Sequence, residues 1–175
     1  MGAYRNTNAP LITVPATALY SPWLDDLEMA EKAVVTSAAA VMVNGTDIFN
    51  ISGGPIVITE LISYCITAND ATASTLQWQA DGTVGASATI TGASATLASA
   101  IAGTAVAMLF TATTTAPSIY TAGVGISRAA TTAAGMLVPA GILETVIGVG
   151  STTGTWRHYL RYRPMARGIL VTALV

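Results

Sequence analysis

The chain has 175 residues, of which 9% are charged and 52% are hydrophobic, and its mean hydropathy is +0.59. This length is typical of one domain with its own core, and the high hydrophobic fraction excludes a disordered chain. The net charge of −2 gives no general attraction to phosphate, so nucleic acid is not an expected partner. A surface with so few charges also predicts self-association, because large exposed apolar patches usually mark interfaces.

Residues that usually carry catalysis or bind metals are scarce. The sequence has one cysteine, Cys65, one histidine, His158, and a single lysine. No Cys/His cluster has zinc-ligand spacing, and the carboxylates are too scattered for a calcium loop. We expect Cys65 to be a buried inert thiol and His158 to be hydrogen-bonded and half-buried among core aromatics. The prediction is therefore a protein that is not an enzyme and uses no cofactor or metal.

Residues 1–20 are predicted to form an extended arm. Prolines interrupt this segment, and Leu11, Ile12 and Val14 form its only apolar cluster. Two interpretations stay open for the arm. It is either a frayed terminus or a strap on a neighbouring subunit, in which case the apolar cluster would anchor it along the edge of that subunit's sheet.

One short helix is predicted over residues 21–32. Ser21 suits the N-cap, Pro22 suits the first helical position, and carboxylates follow in the first turns, where they complement the helix dipole. Asp25 and Asp26 are adjacent, so on a helix they point about 100° apart. A solvated helix start explains this pair better than a catalytic site does.

From residue 33 to 175 the sequence predicts a single antiparallel β-sandwich. Segments rich in Val, Ile, Thr and Ala are interrupted every 8 to 12 residues by Gly, Asn or Asp, which is the spacing of short strands and turns. Asn44-Gly45 and Asp81-Gly82 predict type I′ hairpin turns. The glycine-rich segment 148–154 misses the spacing of a phosphate-binding loop and is also predicted to be a hairpin turn.

The longest strongly apolar segment does not fit a membrane span. Residues 97–110 make a run of about 14 residues, whereas a helix needs about 20 to cross a bilayer. Thr and Ser flank the run, with no basic or aromatic belt. We therefore predict that the chain does not cross a membrane.

The most regular pattern lies in residues 155–164. Alternating side chains predict a strand whose apolar face packs on the core and whose other face carries three guanidinium groups. A protein interface, a solvated edge and a single-stranded nucleic acid site are the alternatives for the basic face, and we take the protein interface. The core face has Trp156, His158, Leu160 and Tyr162, and the basic face has Arg157, Tyr159, Arg161 and Arg163.

Three segments of the carboxyl-terminal third form a further pattern. A proline–glycine turn lies within 136–142, a strand with Trp, Tyr and Pro lies within 150–164, and a glycine precedes an apolar strand within 168–173. In these segments the chain resembles small virion structural proteins of tailed bacteriophages. The resemblance implies a jelly-roll-like capsid decoration, or cement, protein that is typically trimeric and clamps coat subunits on the outside of an icosahedral head.

These expectations define a function, partners and a location. The chain is expected to be made in the host cytoplasm and to lie on the capsid surface of the virion, where it binds the major capsid protein and further copies of itself. The alternative is a tail- or fibre-associated β-sandwich whose loops bind host carbohydrate. The expected partner-binding residues are Leu11, Ile12, Val14, Arg157, Tyr159, Arg161 and Arg163.

Overall fold

The computed structural model describes residues 32–35, 40–41, 43–123 and 135–175. Within these residues the chain is all-β and forms two antiparallel sheets. No helix in these ranges is long and apolar enough to cross a membrane. The strands are β1 (Lys32–Val35), β2 (Ala40–Val41), β3 (Thr46–Ser52), β4 (Ile56–Thr67), β5 (Leu76–Gly82), β6 (Ala88–Thr89), β7 (Ala105–Ala107), β8 (Ser118–Tyr120), β9 (Met136–Val138), β10 (Gly141–Ile147), β11 (Thr155–Pro164) and β12 (Leu170–Ala173).

The larger sheet contains seven strands in the order β1-β11-β4-β7-β8, with β2 also paired to β11 and β9 to β4. The smaller sheet has the order β12-β3-β10-β5-β6. Four antiparallel pairs are nested in sequence: β5–β6 is innermost, then β4–β7, then β3–β10, and β1–β11 is outermost. Successive pairs in this nest alternate between the two sheets. The predicted all-β, sandwich-like class is confirmed.

Side chains from both sheets form one continuous core. Strand alternation turns every second residue of β10 and β11 inward, where it meets the other sheet. Burial of a large apolar side chain contributes about 1.5–3 kcal/mol, so this layer dominates the stability of the fold. Its largest fully buried members include Trp78, Phe49 and Leu143 from the smaller sheet and Trp156, Leu61 and Leu160 from the larger sheet.

The type I′ hairpin predicted at Asn44-Gly45 is wrong. These residues connect β2 of the larger sheet to β3 of the smaller sheet, so the flanking strands do not pair with each other. Gly45 has a φ of 74°, but Asn44 does not have the positive φ that the turn requires. The Asn44 side chain serves the neighbouring strand instead, because its Oδ1 accepts a hydrogen bond from Ile147 N at 3.0 Å.

Two further turn predictions need correction. Asp81-Gly82 forms the end of β5 rather than a two-residue turn, and the chain reaches β6 through the wider loop 83–87. Segment 148–154 is not a hairpin turn either. It leads from β10 in the smaller sheet to β11 in the larger one, so it crosses between the layers.

The amino-terminal predictions fall mostly outside the described residues. This holds for the arm over residues 1–20 and for the helix over residues 21–32, except at Lys32. Lys32 is the first residue of β1 and pairs with Tyr162 of β11. The strand region therefore begins one residue earlier than predicted.

Candidate functional site

The strand predicted to have two unlike faces is β11, and its burial pattern confirms the alternation. Trp156, His158, Leu160 and Tyr162 are buried, whereas Arg161 and Arg163 are exposed and Arg157 and Tyr159 are partly buried. The outward side of β11 is the outer face of the larger sheet. The structure therefore brings the four residues of the predicted basic face together on one surface.

Strand β4 completes this surface, because residues directly opposite each other on antiparallel strands share a face. Tyr64 lies opposite Arg157, Ile62 opposite Tyr159, Glu60 opposite Arg161 and Val57 opposite Arg163. Only the pairing of β11 with β4 brings the three β4 residues nearest the arginines to this surface, so sequence reasoning missed them. We name the following set the arginine face: Arg157, Tyr159, Arg161, Arg163, Glu60, Ile62 and Tyr64.

The arginine face is basic even after its internal ion pair is counted. Arg161 Nε lies 3.6 Å from Glu60 Oε2, and both side chains are partly exposed. Such a pair contributes about 0–1 kcal/mol to stability. Arg163 is exposed, and Arg157 Nε is buried with no hydrogen-bond partner among the described residues. Two guanidinium groups therefore have no carboxylate opposite them in the sheet register.

The outer face of the smaller sheet has the opposite charge. Asp47 lies opposite Glu144 on the neighbouring strand, and Asp81 is exposed on β5. Gln79 Nε2 donates a hydrogen bond to Glu144 Oε1 at 2.6 Å. The two outer faces of the fold thus differ in sign, and only the arginine face suits an acidic partner.

His158 forms a buried pair with Ser63 between the sheets. Its Nδ1 lies 2.7 Å from Ser63 Oγ, and burial lowers the pKa of His158 to about 4. The predicted hydrogen bonding is confirmed, but the side chain is buried rather than half-buried, with 4% of its surface exposed. Ser63 is completely buried, so the pair has no open approach for a substrate.

The cavity beside His158 is small. It has a volume of about 10 Å³, which is room for roughly one water molecule. Its walls carry two hydroxyl groups and no charged side chain other than the imidazole itself. The lining residues are Val41, Thr46, Leu76, Thr145, Ile147, Trp156 and His158.

Cys65 behaves as predicted. Its side chain is completely buried, and its Sγ lies 3.2 Å from Thr67 O. Burial raises the pKa of the Cys65 thiol, which disfavours the nucleophilic thiolate. Over the ranges that the structure covers, no group of three or more His, Cys, Asp or Glu side chains is placed to hold a metal ion.

Asp70 connects two loops at one end of the sheets. Its Oδ2 accepts hydrogen bonds from Thr152 N at 2.9 Å and Thr152 Oγ1 at 2.6 Å, and its Oδ1 accepts one from Thr72 N at 2.9 Å. These bonds hold the pKa of Asp70 well below its usual range. A carboxylate of the chain itself thus occupies donors in the glycine-rich segment 148–154, where a phosphate-binding loop would need them free.

Asn69 lies beside this connection and is buried. Its Nδ2 donates to Leu97 O and its Oδ1 accepts from Trp156 Nε1, each at 3.0 Å. Gly154 lies so close that an added Cβ would overlap Asn69 Oδ1. These contacts fix the entry of β11 into the larger sheet, and with it the position of the arginine face.

The remaining predicted partner-binding residues, Leu11, Ile12 and Val14, lie outside the described residues, so the structure does not relate them to the arginine face. Comparison with protein-family models, with curated proteins and with solved structures finds no match for this chain.

Proposed function

We propose that this chain is a capsid decoration (cement) protein of a tailed-bacteriophage virion. It binds the outer surface of the head through the major capsid protein and reinforces contacts between coat subunits. It acts by binding rather than by catalysis, and it needs no cofactor. The trimer implied by the sequence resemblance is part of this proposal, as are synthesis in the host cytoplasm and the role of the arm as a strap.

The nested strand pairing supports the finer assignment to the jelly-roll class. A jelly roll is a long antiparallel ribbon that is wrapped so that successive strand pairs fall alternately in two sheets, and it occurs in viral capsid and lectin domains. The pairs β1–β11, β3–β10, β4–β7 and β5–β6 follow this scheme. Strand β12 is then an addition beside β3.

The observation that carries the proposal is the chemistry of the arginine face. Arginine and tyrosine are enriched in protein interfaces, because guanidinium groups pair with carboxylates and stack on aromatic rings. Here Arg157 and Arg163 flank Tyr159 on one strand, with Ile62 and Tyr64 beside them on the next. An acidic surface on the coat protein would supply the acceptor that Arg157 Nε lacks among the described residues.

Charge reversal at Arg163 tests this assignment. We expect Arg163→Glu to weaken binding to heads stripped of this protein by about tenfold or more, because it places a carboxylate against an acidic partner surface. Arg167→Glu is the matched control, since it makes the same charge change in the exposed loop after β11. Co-sedimentation of the purified variants with heads measures both affinities. An equal loss in the two variants would mean that net charge, and not the arginine face, determines binding.

A tail- or fibre-associated adhesion module is the second candidate. The observation that favours it is the bond set of Asp70, which holds loops from both sheets together at one end and would preorganise them for a carbohydrate. The two functions differ in the surface used. Substitutions in the Asp70 loops would abolish adhesion, whereas substitutions on the arginine face would abolish decoration.

A further inference from the structure

Strand β12 is an open edge of the smaller sheet. Among the described residues it pairs only with β3, and it stands last in the sheet order. Natural edge strands are usually protected by charges, prolines or bulges. Residues 168–175 contain no charged side chain and no proline, and no register shift interrupts the pairing of β12 with β3.

The backbone of β12 presents free groups along this edge. Leu174 N donates to Ile48 O at 3.0 Å, so the even-numbered residues direct their backbone groups toward β3. Because these directions alternate along a strand, the amide and carbonyl groups of Val171 and Ala173 point away from β3. The edge therefore carries two donors and two acceptors at residues spaced evenly about Thr172.

The side chains of β12 follow the same symmetry. Leu170, Thr172 and Leu174 are exposed, whereas Val171 between them is buried in the core. Leu170 has 56% and Leu174 47% of its surface exposed, which is high for leucine. Two exposed leucines thus lie at equal distances along the strand from Thr172.

We propose that β12 pairs with β12 of a second copy of this chain, antiparallel and about a two-fold axis at Thr172. Val171 then exchanges both backbone hydrogen bonds with Ala173 of the partner subunit, and Ala173 does the same with Val171 of the partner subunit. Leu170 lies opposite Leu174 of the partner subunit, and Thr172 lies opposite its own symmetry mate. The contact joins the two smaller sheets into one sheet that runs through both copies.

A second copy fits this edge because the strand is complementary to itself. Antiparallel pairing about Thr172 matches every outward donor with an acceptor, and it covers the exposed leucines with each other. No charge between residues 168 and 175 opposes a charge of the same sign across the axis. The arginine face lies on the other sheet, so the pairing leaves it free for the coat protein.

This inference specifies the self-association in the proposed function and makes a distinct statement about copy number. A two-fold contact is isologous, whereas a ring of three requires two different surfaces. We therefore expect free protein to contain two copies, or six where a trimer also forms. A species of one or three copies alone would overturn the inference.

Proline at the outward-facing position tests the contact. Ala173→Pro removes an amide that points away from β3, so the ladder with β3 stays intact while the donor to the partner is lost. We expect it to raise the dissociation constant of the two-fold contact by about tenfold or more, as measured by sedimentation at several concentrations. Ala173→Val keeps the amide and is the matched control. Equal association of both variants would contradict the pairing.

A disulfide test keeps the inference falsifiable if the proline variant fails to fold. Residues on the axis form a non-hydrogen-bonded pair with Cα atoms about 4.5 Å apart, which is within disulfide range. We expect Thr172→Cys to form a disulfide-linked pair of chains under mild oxidation. Asn50→Cys, one strand inward, is the control and should not. If Thr172→Cys does not crosslink, the inference is wrong, whereas head binding by a variant that no longer associates would leave the proposed function standing.

Discussion

Gly154→Ala is expected to cost on the order of 4 kcal/mol of the free energy of unfolding. The new Cβ would overlap Asn69 Oδ1 and lie 3.1 Å from the Asn69 Cα, so the side chain and the backbone must both shift. Such overpacking costs about 1–3 kcal/mol. Displacing the amide also leaves the buried indole N–H of Trp156 without its acceptor, which costs about 1–3 kcal/mol more. Urea denaturation followed by tryptophan fluorescence measures the change.

A double-mutant cycle separates the clash from other effects at this position. Asn69→Ala removes the atoms that an alanine at 154 would meet, but it also removes two hydrogen bonds. If the contact with Asn69 is the cause, the double variant is more stable than the sum of the single changes predicts, by more than about 1 kcal/mol. Additive losses, or a Gly154→Ala variant within about 0.5 kcal/mol of the parent, would show that Asn69 is not the obstacle.

Acidification from pH 7 to pH 4 is expected to remove about 3 kcal/mol of stability through His158. The pKa of this histidine is about 4 in the folded chain and about 6.5 when unfolded, and each pKa unit is equivalent to about 1.4 kcal/mol. Because the folded pKa is the lower one, the unfolded state binds more protons, and stability falls as the pH drops from about 6.5 to about 4. No other lining residue of the neighbouring cavity is charged, so nothing there compensates an imidazolium.

His158→Gln is the control for this pH dependence. Glutamine keeps a hydrogen-bonding side chain near Ser63 but does not titrate, so the loss between pH 6.5 and pH 4 should be absent from the variant. The pKa of Asp70 is also lowered, but its contribution disappears only at more acidic pH, as the carboxylate is protonated. Unfolding free energies measured at intervals between pH 7 and pH 4 distinguish the two groups. Equal slopes in the parent and in His158→Gln would contradict the assignment to His158.

Local patterns predicted the faces of β11 but not its neighbours. Alternation between 155 and 164 was enough to separate Trp156 from Arg157, because one side of any half-buried strand must be apolar. The partners of these residues lie far away in sequence. Ser63 is 95 residues from His158, and the pairing of Arg161 with Glu60 depends on the register of β11 against β4. No spacing rule relates such residues before the sheet order is known.

The failed turn predictions have one physical cause. A dipeptide such as Asn44-Gly45 marks a change of direction, but it does not determine whether the flanking strands pair with each other or enter different sheets. In this fold the connections at 44–45 and at 148–154 both cross between layers. The same alternation between sheets produces the nested pairs, so the features that misled the local prediction support the jelly-roll assignment.

Cryo-electron microscopy of intact virions tests the central claim most directly, because it locates the protein without assuming its partner. The account predicts density for the two-sheet domain on the outside of the head, with the arginine face directed toward the coat subunits. Density for this domain at the tail or the tail tip, and none on the head, would contradict the assignment as a decoration protein and favour the adhesion module.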